Sequence, residues 1–221
     1  ILGNLSDFDP SQHAVPYHAL SDMDKFALYQ LSGLIEKGHD AYNRYEFHVI
    51  HHALYNYCTL DLSSFYLDSL KDRLYASAPD WPQRRNAQTV MHAILDAIVR
   101  LMAPILPFTA EEVWKFMPQQ NGKEESIHLA SLPVSNPDWK NEEVAEKWGQ
   151  LLELRGEVTK SIEEARAKKL VGHSLDAAVI ISASSDKYKE MVPYADDVRA
   201  VSIVSKLSFA QENDEAKTLG G

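Results

Sequence analysis

The chain has 221 residues, 45% of them hydrophobic and 24% charged, which suits an ordinary globular protein with one sizeable core and a smaller unit. Its formal net charge of −10 argues against a simple nucleic-acid binder, although affinity follows local basic surface and the excess acid can lie on another face. The single cysteine, Cys58, excludes an internal disulfide and a Cys-rich zinc knuckle, no apolar run approaches the roughly 20 residues needed to span a bilayer, and a reducing, cytoplasmic setting is the default.

The opening ILGNLSDFDP has no initiator Met, no basic stretch and no cleavage-site pattern, so it is not a signal peptide. Starting mid-pattern on Ile1 and Leu2, it reads as part of a longer protein. The first 20 residues are turn-rich, with Pro10 and Pro16. Ser21 followed by Asp24 is close to a capping box, and Phe26, Leu28, Leu31, Leu34, Ile35 and Tyr42 repeat near helical period, which predicts a helix over Asp22 to Asn43. A second pattern starts at Glu46, with Phe47, Ile50, Leu54 and Tyr57 on one face, and continues through LDLSSFYLDSLKDRLY with a kink near Asp61–Ser63. Pro79 and Pro82 break it.

The third pattern, RRNAQTVMHAILDAIVRLMAPILPF, carries the wide apolar stripe of a buried bundle helix: Val90, Ile94, Leu95, Ile98, Leu101, Met102 and Ile105. Thr109-Ala110-Glu111-Glu112 predicts a capping box opening a short helix with Val113, Trp114 and Phe116. Residues 118–141 read as a polar connector containing a short extended piece, IHLASLP. A fourth helix is expected from Glu142 to Lys169, with Val144, Trp148, Leu151, Leu152, Val158 and Ile162 inward. Beyond Gly172 the apolar run AAVII reads as a buried strand, Val201, Ile203, Leu207 and Phe209 alternate like a second, and a helix fits between about Asp186 and Asp197. The last residues, QENDEAKTLGG, lack apolar content and read as a disordered tail. The fold class expected is mainly α, a helical bundle followed by a small α/β unit. The divisions are a bundle over 1–141, a long connecting helix over 142–170, the α/β unit over 171–210 and the tail over 211–221.

No Gly-rich phosphate loop, G-x-S-x-G or H-E-x-x-H occurs, so no catalytic residue is assigned. Cys58 lies on an apolar helix face and reads as a buried, inert thiol. His48, His51 and His52 share one face, but without further ligands nearby they read as solvated rather than metal-binding. Glu111 and Glu112 are explained by the positive end of a helix. Basic residues gather around the proline break: Lys71, Arg73, Arg84 and Arg85, with Tyr66, Tyr75 and Trp81 interleaved and Gln88 closing the cluster. Cations pair with phosphates and exposed rings stack on unpaired bases, so the cluster suits an RNA loop. Equally, Lys71 and Arg73 can pair with Asp68, Asp72 or Asp80 on a solvated face. Lys168 and Lys169 end a helix of mixed charge, where Glu164–Lys168 spacing favours a solvated face and phosphate contact is the alternative.

The stretch LSSFYLDSLKDRLY with RRNAQTVMHAILDAIVRLMAPILPFTAEEVWKFMP, preceded by LGNLSDFDP and YEFHVIHHALYNYC and followed by LELRGEVTKSIEEARAKKLVGHSLDAAV, resembles bacterial-type isoleucyl-tRNA synthetase. The likeness runs in order from Ile1 to about Ala178. It implies a bundle of the class I synthetase anticodon-binding type, recognising the anticodon stem-loop of tRNA(Ile), in an enzyme that activates isoleucine with ATP and Mg and transfers it to tRNA. The HIGH-type and KMSKS-type ATP signatures and the Cys pairs of the family's C-terminal zinc module are absent from these residues, so the segment alone is expected to lack catalysis, cofactor and zinc. On the resemblance, its partners are tRNA(Ile) and the rest of the parent synthetase, with no membrane and a monomeric state. Its tRNA-binding candidates are Lys71, Arg73, Tyr75, Trp81, Arg84, Arg85, Gln88, Lys168 and Lys169. Valyl- and leucyl-type synthetases share the PILPFTAEEVW element and are one alternative; a helical protein-interaction module without RNA role is another.

Overall fold

A short polar side chain ahead of an apolar stripe starts the first long helix. In the computed structural model, which describes residues 1–118 and 122–211, the Ser21 hydroxyl accepts the Asp24 amide at 3.3 Å and caps α2, Asp22–Asn43. Before it lie a 3-10 turn, Leu2–Leu5, the one-turn helix α1, Pro10–His13, capped by Asp9, and a second 3-10 turn at Tyr17–Ala19. The described residues divide into two units, Ile1–Trp148 and the residues from Gly149 on.

In the first unit α2 packs on α3, Phe47–Asn56, and on α6, Pro82–Met102. Leu31, Ile35, Ile50, Val90, Ile94 and Leu101 of the stripes read from the sequence are buried there, joined by Met91, whereas Phe47 is exposed and Ile105 lies beyond the end of α6. Between α3 and the short helices α4, Leu67–Ser69, and α5, Lys71–Tyr75, the backbone widens into a π-helix over Tyr57–Tyr66, which takes in Asp61–Ser63. Hydroxyls there turn back on the backbone, with Ser63 donating to Cys58 O at 2.7 Å and Thr59 to Tyr55 O at 2.8 Å. The wider turn buries Tyr57, Leu62, Phe65 and Tyr66. Pro82 occupies the first position of α6, where its missing N–H is not needed.

The short helix α7 spans Pro107–Phe116 and begins earlier than the expected capping box. Pro107 starts it behind Leu106, so Thr109 lies inside the first turn and caps nothing. Glu111 accepts instead from the Ser126 hydroxyl at 2.8 Å and the Ile127 amide at 3.1 Å. The piece IHLASLP is a 3-10 turn, Ile127–Leu129, before it extends, and another 3-10 turn follows at Pro137–Trp139. Trp114 is buried, its indole donating to Glu124 O at 2.9 Å. The start of α8, Glu142–Ala167, lays Trp148 against Phe26 and Phe65, with ring centroids 5.9 and 6.0 Å apart.

In the second unit Val158 and Ile162 of α8 form a small core with Val204, and Val179, Ile181 and Leu207 pack on it. After a 3-10 turn at Ser174–Asp176, β1, Ala178–Ala183, pairs in parallel with β2, Lys206–Gln211. Parallel strands need a crossover, supplied by α9, Ser185–Met191, the 3-10 turn Val192–Tyr194 and α10, Ala195–Ser202. Two expectations are corrected here. Val201 belongs to α10, where Val198 and Val201 are buried three residues apart, and Ile203 ends the helix in left-handed backbone before β2 begins. The run AAVII is not a fully buried strand, because alternate residues of β1 are exposed, Ile180 to 58%. The disordered tail expected from 211 onward lies, except for Gln211, outside the described residues.

Candidate nucleic-acid interface

The proline break becomes a hairpin of helices: α5, the loop 76–81 and α6. Leu70 and Leu74 anchor its first arm and Ala87, Gln88 and Val90 its second. At the loop mouth two arginines cross. Arg73, on α5, donates from Nε and Nη2 to the carbonyl of Gln83, at 3.2 and 2.9 Å. Arg84, on α6, donates to the carbonyl of Leu74 and reaches Asp7 at 3.1 Å. Arg85 donates to Asp7 O at 2.9 Å and to Gln88 Oε1 at 2.8 Å. Gln88 is buried and donates to Asn4 O at 2.9 Å and Asp7 Oδ1 at 2.7 Å. Burial raises the Asp7 carboxyl pKa, but the hydrogen bonds and charge of Arg84, with Gln88, outweigh it and leave the carboxyl below its usual value.

The nine candidate residues therefore sort by direction. Arg73, Arg84, Arg85 and Gln88 point inward and bind protein groups. Lys71 is exposed and pairs with Asp68, the partner its spacing allows. Tyr75, 73% exposed, and Trp81, 54% exposed, stand at the two ends of the loop with open faces. The Tyr75 hydroxyl accepts from Asn4 Nδ2 at 3.2 Å, which fixes that ring's edge and leaves its face free. Lys168 and Lys169, both exposed, follow α8 in the second unit. Lys169 takes left-handed backbone, φ 59°, while the Leu170 amide bonds back to Ala165 O at 3.0 Å, so both lysines sit at a helix C-terminus that favours cations.

Sequence reasoning missed Asp7, Asn4 and Asp24. Asp24 offered only a cap signal, yet its carboxylate is the bidentate partner of Arg73, 49 residues away. The other groups singled out carry less. His48, His51 and His52 are exposed on α3, and among the described residues no three His, Cys, Asp or Glu side chains lie close enough to hold a metal. Cys58 is half-buried, and burial pushes its thiol pKa up, away from reactivity. Among the described residues no helix is long and apolar enough to cross a membrane.

The family described as the anticodon-binding domain of tRNA ligase matches residues 24–181. The isoleucine–tRNA ligase of Geobacter sulfurreducens is 46% identical over 212 residues, 96% of this chain and 23% of that enzyme. That of Syntrophotalea carbinolica is 45% identical over 213 residues, again 96% of this chain and 23% of the relative. That of Syntrophomonas wolfei is 42% identical over 224 residues, 100% of this chain and 24% of the relative. The chain thus spans about a quarter of the length of these relatives.

Proposed function

This chain belongs to the anticodon-binding-domain family of tRNA ligases, and on that premise we propose that it holds the anticodon stem-loop of tRNA(Ile) for an isoleucine–tRNA ligase. The observation that carries the reading is the pair of open rings, Tyr75 and Trp81, at the tip of a braced hairpin inside the matched region, with Lys71 beside them. Unpaired bases splayed from an RNA loop stack on such rings, and Lys71 meets the backbone once it leaves Asp68. Arg73, Arg84, Arg85 and Gln88 act beneath the surface by holding the rings in place. Lys168 and Lys169 add phosphate contacts from the second unit.

Recognition and positioning are this region's share of the reaction. Activation of isoleucine with ATP and Mg, and its transfer to tRNA, fall to the rest of the synthetase, the second partner proposed here. The enzyme works as a monomer in the cytoplasm, a setting that a lone unpaired thiol, Cys58, tolerates. The test is a titration of a labelled anticodon stem-loop against wild type, Tyr75→Ala and Trp81→Ala. Each substitution should weaken binding by about 1–3 kcal/mol, the worth of one stacked base. Equal affinities in all three proteins would remove the hairpin tip from the interface.

A further inference from the structure

Asp24 is wholly buried, 0% exposed, and its carboxylate is saturated. Arg73 donates to Oδ1 at 3.1 Å and to Oδ2 at 2.6 Å, the Tyr66 hydroxyl to Oδ1 at 2.7 Å and the Ser21 hydroxyl to Oδ2 at 2.7 Å. Tyr66 is itself buried; burial and the Asp24 charge hold its phenol well above its usual pKa, so it remains a donor. The guanidinium of Arg73 reaches the other way to Gln83 O, and Arg84 answers across the loop mouth at Leu74 O. One fork, buried at its Asp24 end and part-buried at Arg73, thereby joins the start of α2, the end of the π-helix, α5 and the first turn of α6.

Stability alone does not account for such a pair. Desolvation offsets much of the attraction between buried charges, and apolar residues of similar volume often serve as well or better. What apolar residues cannot do is aim, because dispersion contacts have no direction whereas a guanidinium fork fixes an angle. We infer that Asp24 and Arg73 are positioning residues: the buried pair sets the mouth of the loop 76–81 and so the spacing and direction of the Tyr75 and Trp81 rings. The RNA side of this inference rests on the docking proposed above.

The experiment replaces the polar cluster as a unit, with Asp24→Leu, Tyr66→Phe and Arg73→Met combined, so that no buried partner is left unpaired. Urea unfolding, amide hydrogen exchange of the loop without RNA, and affinity for an anticodon stem-loop are then read in parallel. The combined variant should unfold cooperatively at a midpoint near wild type while its loop amides exchange about tenfold faster. Its affinity for the stem-loop should fall about tenfold, comparable to losing one stacking contact. A folded variant with wild-type loop protection would overturn the inference and leave the pair a packing element. Should the combined variant not fold, Arg73→Lys keeps the charge and loses the fork; faster loop exchange in it supports positioning, and unchanged exchange overturns it. The two readings fail separately: if Trp81→Ala binds RNA like wild type the docking reading falls, while the exchange result still decides positioning.

Discussion

Lys169 occupies backbone that L-residues other than glycine and asparagine adopt at a cost of about 1–2 kcal/mol. Its side chain is exposed, so Lys169→Gly relieves that strain without losing burial; only the attraction to the helix end, worth some tenths of a kcal/mol, goes with it. The substitution should stabilise the second unit by about 1 kcal/mol in thermal unfolding. With Lys169 on the RNA surface, it should also weaken stem-loop binding. The two readouts move in opposite directions, which separates a helix end from a phosphate contact; a stabilised protein of undiminished affinity would take Lys169 off the interface. Cys58 and the three α3 histidines show the other outcome at this scale, residues whose chemistry is notable and whose surroundings do not use it.

Among elements, the contact of α2 with α6 is the tightest place to probe. A Cβ at Gly38 would lie 2.6 Å from Leu101 Cδ2 and 3.3 Å from Ile50 Cδ1, both in fully buried side chains. Gly38→Ala gains about 1 kcal/mol of helix propensity but forces a packed core to move, at about 1–3 kcal/mol. The expected net is a loss of about 1 kcal/mol, measured as a lower urea midpoint at unchanged slope. The limits of α2 were legible where a cap signal preceded a strong period. Ser21 and the apolar stripe placed α2 over Asp22–Asn43, while Pro82, read only as a break, in fact opens α6. The π-helix was not legible, since such segments are rare and Asp61–Ser63 reads as a polar interruption. Thr109 misled because its Ser/Thr-x-x-Glu/Gln spacing fits a cap that Pro107 pre-empts. The residues at the hairpin were legible as a cluster but not in their directions. Partners 49 and 77 residues apart, Asp24 for Arg73 and Asp7 for Arg84, leave no local trace.

For the whole molecule, a net charge of −10 has a physical counterpart at the proposed interface. Arg73 is paired with Asp24, Arg84 with Asp7 and Lys71 with Asp68, so the hairpin offers RNA more aromatic surface than free positive charge. Few counterions are then released on binding, and the plot of log affinity against log salt should be shallow, equivalent to about two or three phosphates between about 50 and 200 mM salt. A slope equivalent to about eight would mean that basic surface, not stacking, dominates. The crossed arginines have a consequence of another kind. Arg73 and Arg84 clasp the hairpin at Gln83 O and Leu74 O, below its tip, so the residues between Tyr75 and Trp81 bear none of that clasp. Ser77, Pro79 and Asp80 therefore form an exchangeable cassette around Ala78, whose carbonyl accepts the Trp81 amide at 3.1 Å, a place where a new base preference can be grafted while the frame beneath stays as it is.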